Sequence, residues 1–313
     1  MLSRVADSLF WLGRNVERAE TIARILDVNY NRAMDLYSTG DGRYERLWGS
    51  VMQCAGFVSN VKLSRDGGAA TEVFAHCAFG MDNPTSIASS IRIARTNALG
   101  IRADLSTEVW LAINVLYLYA ESQTVAQTMR EGPSRFLRRV RDAAQAFAGV
   151  SDATLLHGDE WNYLQIGRFQ DRLYMTARML EAVDIENEPW PESTRLLEMC
   201  CAMEPFMQAT HQQEPRDVLS FIILSEEFPR SLRFCAREID RALHRLSQTP
   251  MGTYGNEAER RVGRLRALLD YTPIDDLLAA GVPAFAARMF EESEYLSRAI
   301  IESYAPPLQV QSA

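Results

Sequence analysis

From Leu9 to Asp27 the chain reads LFWLGRNVERAETIARILD, and no other stretch limits its architecture as much. Leu9, Leu12, Val16, Ala19, Ala23 and Leu26 recur at the three- and four-residue spacing of a helix face, with Arg14, Glu17, Thr21 and Arg24 opposite. The pattern predicts a helix from Ser3 to Leu36, ended by the turn-forming run Ser38-Thr39-Gly40-Asp41-Gly42. Gly13 stands inside that helix at a cost of ~1 kcal/mol relative to alanine. A glycine in such a place points to close approach of another backbone or a ligand.

Half a chain later, Leu164 to Glu181 reads LQIGRFQDRLYMTARMLE. With Gly13 set on Gly167, Arg14 falls on Arg168, Glu17 on Asp171, Arg18 on Arg172 and Arg24 on Arg178. Pro84-Thr85-Ser86-Ile87 and Pro229-Arg230-Ser231-Leu232 form a second pair in the same order. Two pairs in one order suggest a duplicated helical unit, with halves of about 1–150 and 155–304 whose Gly-Arg helices face each other. Helical periodicity fills the remainder, and strand-like alternation is hard to find. Helices are expected to about Phe57, then over Thr71 to Phe79 after a loop around Asp66-Gly67-Gly68. Asn83-Pro84 opens the next, with Asn83 as N-cap and Pro84 in the first turn, running to about Arg102. Ser106 caps a helix to Met129, Gly132-Pro133 breaks it, and a basic helix starts at Arg135. Further helices are expected over Trp161 to Ala182, Glu192 to His211, Asp217 to Leu224, Glu257 to Leu269 and Pro283 to Tyr304. The expected fold is all-α, a multi-helix bundle forming one domain over residues 1–304, with a frayed tail at 305–313.

Charge and missing motifs narrow the function classes. Lys and Arg total 33 against 41 Asp and Glu, a net charge of −8, so no nucleic-acid partner is expected. Lys62 is the single lysine. Nearly all positive charge is therefore guanidinium, the better fork for carboxylates and phosphates, although a GC-rich genome gives the same bias. Five cysteines, Cys54, Cys77, Cys200, Cys201 and Cys235, show neither disulfide-framework nor metal-site spacing and read as buried reduced thiols. Asp7, Arg14 and Glu17 interrupt the N-terminal apolar residues, so no signal peptide is expected, and no apolar run reaches the ~18 residues of a membrane span. A cytoplasmic protein without a membrane partner follows. There is no Walker loop, Gly-rich dinucleotide turn, Gly-x-Ser-x-Gly elbow or His-Glu-x-x-His, so no metal or nucleotide cofactor is expected on this chain.

Two groups of residues are candidates for chemistry. Arg14, Glu17, Arg18, Thr21 and Arg24 project along roughly one side of the first helix, and Arg168, Asp171 and Arg172 repeat the pattern. They suit an arginine-rich pocket for a carboxylate or phosphate, with Glu17 and Glu20 orienting the guanidiniums. The plainer alternative is a solvated face with Glu20–Arg24 pairing at i, i+4, contributing only ~0.3–0.5 kcal/mol. Pattern alone favours the plainer one. The second group is Asn83, Ser86 and Ser90 with Arg92 and Arg95, an anion site at a helix N-terminus or simply a capped helix with small packing residues.

LSRVADSLFWLGRNVERAETIARILD, NPTSIASSIRIARTNALGIRADLS with Glu108 and Trp110, and EFPRSLRFCAREID together resemble the bacterial alpha-E family, from Met1 to about Tyr304. The family is all-helical and named for a Glu-Arg motif. The resemblance carries its motif onto Arg14, Glu17, Arg18, Glu20 and Arg24, then Asn83, Pro84, Ser86, Ser90, Arg92, Arg95, Asn97 and Arg102, and finally Pro229, Arg230, Ser231 and Arg233. In the second half Asp171 stands for Glu, Leu173 for Ala and Tyr174 for an acid. Family members occur beside, or fused to, circularly permuted ATP-grasp and transglutaminase-like proteins. That implies a helical partner subunit of an ATP-grasp amide or peptide ligase, which presents a small-molecule or peptide substrate while ATP and Mg sit on the ligase. The alternatives are a free-standing enzyme with Glu17 or Glu20 as acid/base, which requires a raised carboxyl pKa, and a scaffold whose Arg/Glu network joins its halves.

Overall fold

The computed structural model of the chain describes residues 3–37, 40, 42–56, 68–210 and 214–304. Among them are fifteen α-helices and no strand. The first half holds α1 (Ser3–Leu36), α2 (Arg43–Cys54), α3 (Gly68–Phe74), α4 (Ile87–Gly100), α5 (Thr107–Glu121), α6 (Val125–Glu131) and α7 (Pro133–Thr154). The second holds α8 (Asp159–Ala182), α9 (Pro189–Met199), α10 (Met203–Ala209), α11 (Pro215–Leu224), α12 (Leu232–Ser247), α13 (Glu257–Tyr271), α14 (Ile274–Leu277) and α15 (Val282–Tyr304). Four helices of each half close into a ring by neighbour packing: α1, α4, α5 and α7, and likewise α8, α12, α13 and α15. The long α1 and α8 join the rings along the middle of the molecule. One apolar core runs through both, from Phe10 and Trp48 to Phe206 and Ile300.

Several boundaries differ from the sequence expectation, each for a local reason. Asn83 does not cap a helix. Ser86 does, its hydroxyl accepting from the Ser89 N–H, while Asn83 accepts from Thr85 in the preceding turn. Pro229 likewise lies in a turn, and Ser231 caps α12 through the Phe234 N–H. The two turns share their hydroxyl bond: Ser86 Oγ donates to the Gly80 carbonyl and Ser231 Oγ to the Ser225 carbonyl, six residues back in each case. The helix expected from Ser106 to Met129 is two, because Thr124 starts α6 with a cap on the Gln127 N–H. Cys201, at φ 56, separates α9 from α10, where one helix was expected. The segment expected as Thr71 to Phe79 is α3 followed by a π-helical turn, Ala75–Phe79. Phe57, Asp66, Gly67, His211 and the 305–313 tail lie outside the described residues.

The largest correction concerns α1. Its polar side is not solvated: Glu17, Glu20, Thr21 and Arg24 are all buried, with Thr21 fully so. Packed by α4, α7 and α8 together, the middle of this 34-residue helix has no face left for solvent, and only residues near its ends, such as Arg4 and Met34, are exposed. Cys201 is the other exception to expectation, an exposed thiol where the remaining four are buried; all five are free.

Candidate functional site

Two glycines set the geometry of the site. A Cβ on Gly13 would overlap the Leu164 carbonyl oxygen, and one on Gly167 would overlap the Phe10 carbonyl oxygen. Each glycine thus admits the backbone of the other helix, the role suggested by its cost in a helix interior. Contacts then advance in the same direction along both helices, from Gly13 against Leu164 and Arg168 to Glu17 and Arg18 against Arg172 and Asp171. The helices therefore run parallel, and residues one turn beyond the crossing meet side chain to side chain.

On one side of the crossing, α1 supplies carboxylates and α8 supplies guanidiniums. Glu17 takes the Arg172 Nε at 2.7 Å and an Arg230 Nη at 2.9 Å, with the Arg168 Nε 3.4 Å away. Glu20 takes the other Arg230 Nη at 2.6 Å and also pairs with Arg24. Arg230 reaches them because its turn is pinned: its carbonyl accepts from Thr176 Oγ1 at 3.1 Å, and the Ser231 cap follows at once. Burial alone would raise the Glu17 carboxyl, but the guanidiniums of Arg172, Arg230 and Arg168 outweigh it and hold it well below the usual carboxylate range. Glu20 is lowered in the same way, against burial, by Arg230 and Arg24. Both are ionised acceptors, the opposite of what an acid role near neutral pH requires.

The charge does not balance. Arg24, Arg168, Arg172 and Arg230 contribute four positive charges against the two of Glu17 and Glu20. Burial and then the Arg172 charge lower Arg168 to about 10, which its single distant carboxylate only partly offsets. The Nε of Arg24 is buried without a hydrogen-bond partner, and that of Arg168 has only the Glu17 carboxylate at 3.4 Å; an unmade bond at a buried donor costs free energy. All four arginines line one cleft of about 710 Å³ whose walls include Gln208, Phe221, Phe228 and a single carboxylate, the exposed Glu227. Behind it, between Glu17, Glu20 and Gly13, lies a recess of about 30 Å³, enough for a water or two but not for a substrate. Of the two, only the outer cleft has room for more than a water or two.

The other side of the crossing is closed. Asp171 is fully buried and takes Arg18 Nε at 3.0 Å and Arg14 Nε at 3.4 Å. Arg14 also donates to Ser297 Oγ at 2.7 Å, and the Tyr174 ring lies 4.9 Å under the Arg18 guanidinium. Tyr174 replaces Glu20 in the helix register, and Thr85, hydrogen-bonded to Asn83 and Ala55, replaces Arg230 in the turn register. The Glu17-Arg18 dipeptide therefore divides: Glu17 serves the open cluster and Arg18 the closed one. Arg14 and Arg18 do not join Glu17 and Glu20 in one pocket, although sequence placed them on one side of α1.

The side chains of the second candidate group are not gathered into one pocket. Ser86 is consumed by capping, Asn83 by the turn and by the His76 carbonyl, and Ser90 is fully buried. Arg92 reaches Glu121, while Arg95 bonds Asn114 and lies 4.6 Å over the Tyr117 ring. Arg233 pairs with Asp270 and Glu226 on α12's outer side. Sequence reasoning missed Gln145, Cys201 and Gln208 of the clefts, because nothing in their local pattern marks helices that meet only in three dimensions. Among the described residues no cluster of His, Cys, Asp and Glu could hold a metal ion, and no helix is long and apolar enough to cross a membrane.

Residues 1–304 match the model of the Alpha-E family, described as "A predicted alpha-helical domain with a conserved ER motif". An uncharacterized protein of Mycobacterium bovis and two of Mycobacterium tuberculosis are each 22% identical over 312 residues, covering 92% of this chain and 34% of theirs. The chain thus spans about a third of the length of these curated relatives. No solved structure matches it.

Proposed function

The chain belongs to the Alpha-E family, and from that membership and the guanidinium cleft we propose that it is the helical partner subunit of an ATP-grasp amide or peptide ligase. In this reading it binds the ligase, a circularly permuted ATP-grasp protein, and holds an anionic group of the substrate, a carboxylate foremost, against Arg24, Arg168, Arg172 and Arg230. ATP and Mg belong to the ligase, and a transglutaminase-like protein is a second partner. The observation that carries the binding role is the surplus of guanidinium over carboxylate among mostly buried arginines that line an open cleft. Charge of that kind is costly in low dielectric unless an anion completes it, and planar guanidiniums match carboxylate geometry. Glu17 and Glu20 orient the forks and take no part in proton transfer. The relatives support a modular role, since in them a similar domain is joined to about twice its own length of further chain.

The purified chain, mixed with the neighbouring ATP-grasp protein, is expected to form a complex on size-exclusion chromatography and to raise ligation turnover. Arg230→Gln keeps the complex but raises KM for a carboxylate substrate roughly tenfold to a hundredfold, as loss of a charge-assisted bond of about 1.5–3 kcal/mol implies. No complex, together with full ligation in the absence of the chain, refutes the reading. A scaffold role suits the closed cluster instead: Asp171, Ser297 and the Tyr174 ring hold Arg14 and Arg18, and the ion pairs tie α1 to α8.

A further inference from the structure

The outer face of α5 breaks the correspondence between the two rings. Val109, Ile113, Leu116 and Ala120 point into the core, leaving Leu111, Val115 and Leu118 as an outward stripe, 51%, 52% and 58% exposed. α13 holds the corresponding place, packed against α12 and α15 as α5 is against α4 and α7. Its inward residues, Ala258, Val262, Leu265 and Leu269, have the same spacing. In that register the outward positions are Arg260, Arg264 and Ala267. A helix in this place therefore needs no apolar outer face. Single exposed leucines are ordinary, but a stripe at i, i+4 and i+7 is the form of a helix-docking surface.

Charge selects the occupant. Residues 87–154 carry eight arginines against six acids, in a chain of net charge −8. Guanidiniums border the stripe on both sides, Arg102 lying 5.2 Å over the Trp110 ring and Arg139 5.9 Å over the Tyr119 ring. Neither has a carboxylate partner among the described residues, whereas Glu121 and Glu131 are taken by Arg92 and Arg135. Near the end of α5 lies a cleft of about 620 Å³ whose lining includes Tyr119, Phe136, three arginines (Arg135, Arg138 and Arg139) and two acids (Glu131 and Asp142). A second copy fits poorly: antiparallel pairing about the stripe sets Glu108 against Glu121, and parallel pairing sets Glu108 against itself. We propose that α5 docks an amphipathic helix of a partner protein, whose apolar stripe seats on Leu111, Val115 and Leu118 and whose bordering aspartates or glutamates meet Arg102 and Arg139. The surface lies on α5 and is independent of what fills the guanidinium cleft.

A photo-crosslinking amino acid at position 115 of the full chain, in cells that make it, identifies the occupant by mass spectrometry of the linked peptide. The expected product is one segment of another protein, acid-bordered and apolar at i, i+4 and i+7, not formed when the probe stands at position 264. Arg102→Glu with Arg139→Glu should cut its yield about tenfold, the scale of losing rim charge pairs. Both arginines are exposed, and an unchanged melting curve shows that the fold survives. Linkage to a second copy of this chain, to lipid or to scattered peptides overturns the proposal. So does no linkage, or a yield indifferent to charge reversal.

Discussion

Replacing Glu17 by glutamine keeps the shape of the side chain and removes one buried charge, so it isolates the electrostatics of the open cluster. Glu17 is 6% exposed and lies within 3.4 Å of three guanidiniums, those of Arg172, Arg230 and Arg168. Glu20 then remains as the single carboxylate among four arginines. Breaking a buried pair by removing one partner costs about 3–5 kcal/mol, because the opposite charge is left uncompensated. At about 2.1 cal/mol/K per residue, a chain of this length unfolds with an entropy of ~0.66 kcal/mol/K, so Tm should fall by roughly 5–8 °C. Urea denaturation followed by circular dichroism at pH 7 and low salt measures the loss, with Glu227→Gln at the cleft rim as the control within about 0.5 kcal/mol of wild type. Added phosphate should restore part of the loss in Glu17→Gln, since an anion then replaces the missing charge. A loss below about 1 kcal/mol would show that water already screens these guanidiniums and would refute the buried-charge reasoning.

Both Glu17 and Glu20 are held below their ordinary pKa. Their contribution is fully present above about pH 4.3, the unfolded value, and is lost as pH falls toward their folded values, by up to about 1.4 kcal/mol per pH unit for each proton taken up. Acid titration of stability should therefore steepen below that pH, and Glu17→Gln should flatten it; equal slopes in the two proteins would contradict the assignment. Gly13→Ala and Gly167→Ala each drive a methyl group into a carbonyl oxygen of the opposing helix, Leu164 or Phe10. Each should destabilise by about 3 kcal/mol or more, at or beyond the usual overpacking cost, measured by the same urea midpoint, whereas Gly149→Ala, with open space around it, should not. A thiol reagent should modify Cys201 rapidly in the native protein and the other four only on unfolding. Those four are buried, with burial pushing each thiol up to about 12. Rapid native modification of more than one thiol would show that the core opens.

Helical content, the two Gly-Arg helices and the Ser106 cap are legible in the chain because each depends on neighbours within a turn or two. Breaks such as those at Thr124 and Cys201 were passed over because the apolar periodicity runs through them, although Thr124 carries a local cap on the Gln127 N–H; at Cys201 the left-handed backbone, φ 56, has no glycine to announce it. The candidate site was half legible. Glu17, Glu20, Arg24, Arg168, Arg172 and Arg230 do converge, but Arg14 and Arg18, their neighbours on α1, turn to Asp171. Helix-wheel reasoning places residues on a face; it does not say which partner helix divides that face in two. For the serines near Asn83, of the two readings the sequence left open, the structure shows the cap and turn bonds of a capped helix.

Sequence by itself determined an all-α chain with two matching helices, each bearing a glycine where a backbone must pass, because propensity, periodicity and the cost of glycine are local quantities. Only the tertiary structure decided which charges are buried, and that two clusters rather than one flank the crossing. It also showed the inequality between them: both hold two guanidiniums per carboxylate, but Ser297 and Tyr174 cover Arg14 and Arg18 on one side, whereas Arg24, Arg168, Arg172 and Arg230 line a cleft on the other. Whether a guanidinium is a solvated ornament or an unsatisfied binding group depends on desolvation and on the sum of nearby charges. Both are set by residues more than a hundred positions apart in the chain.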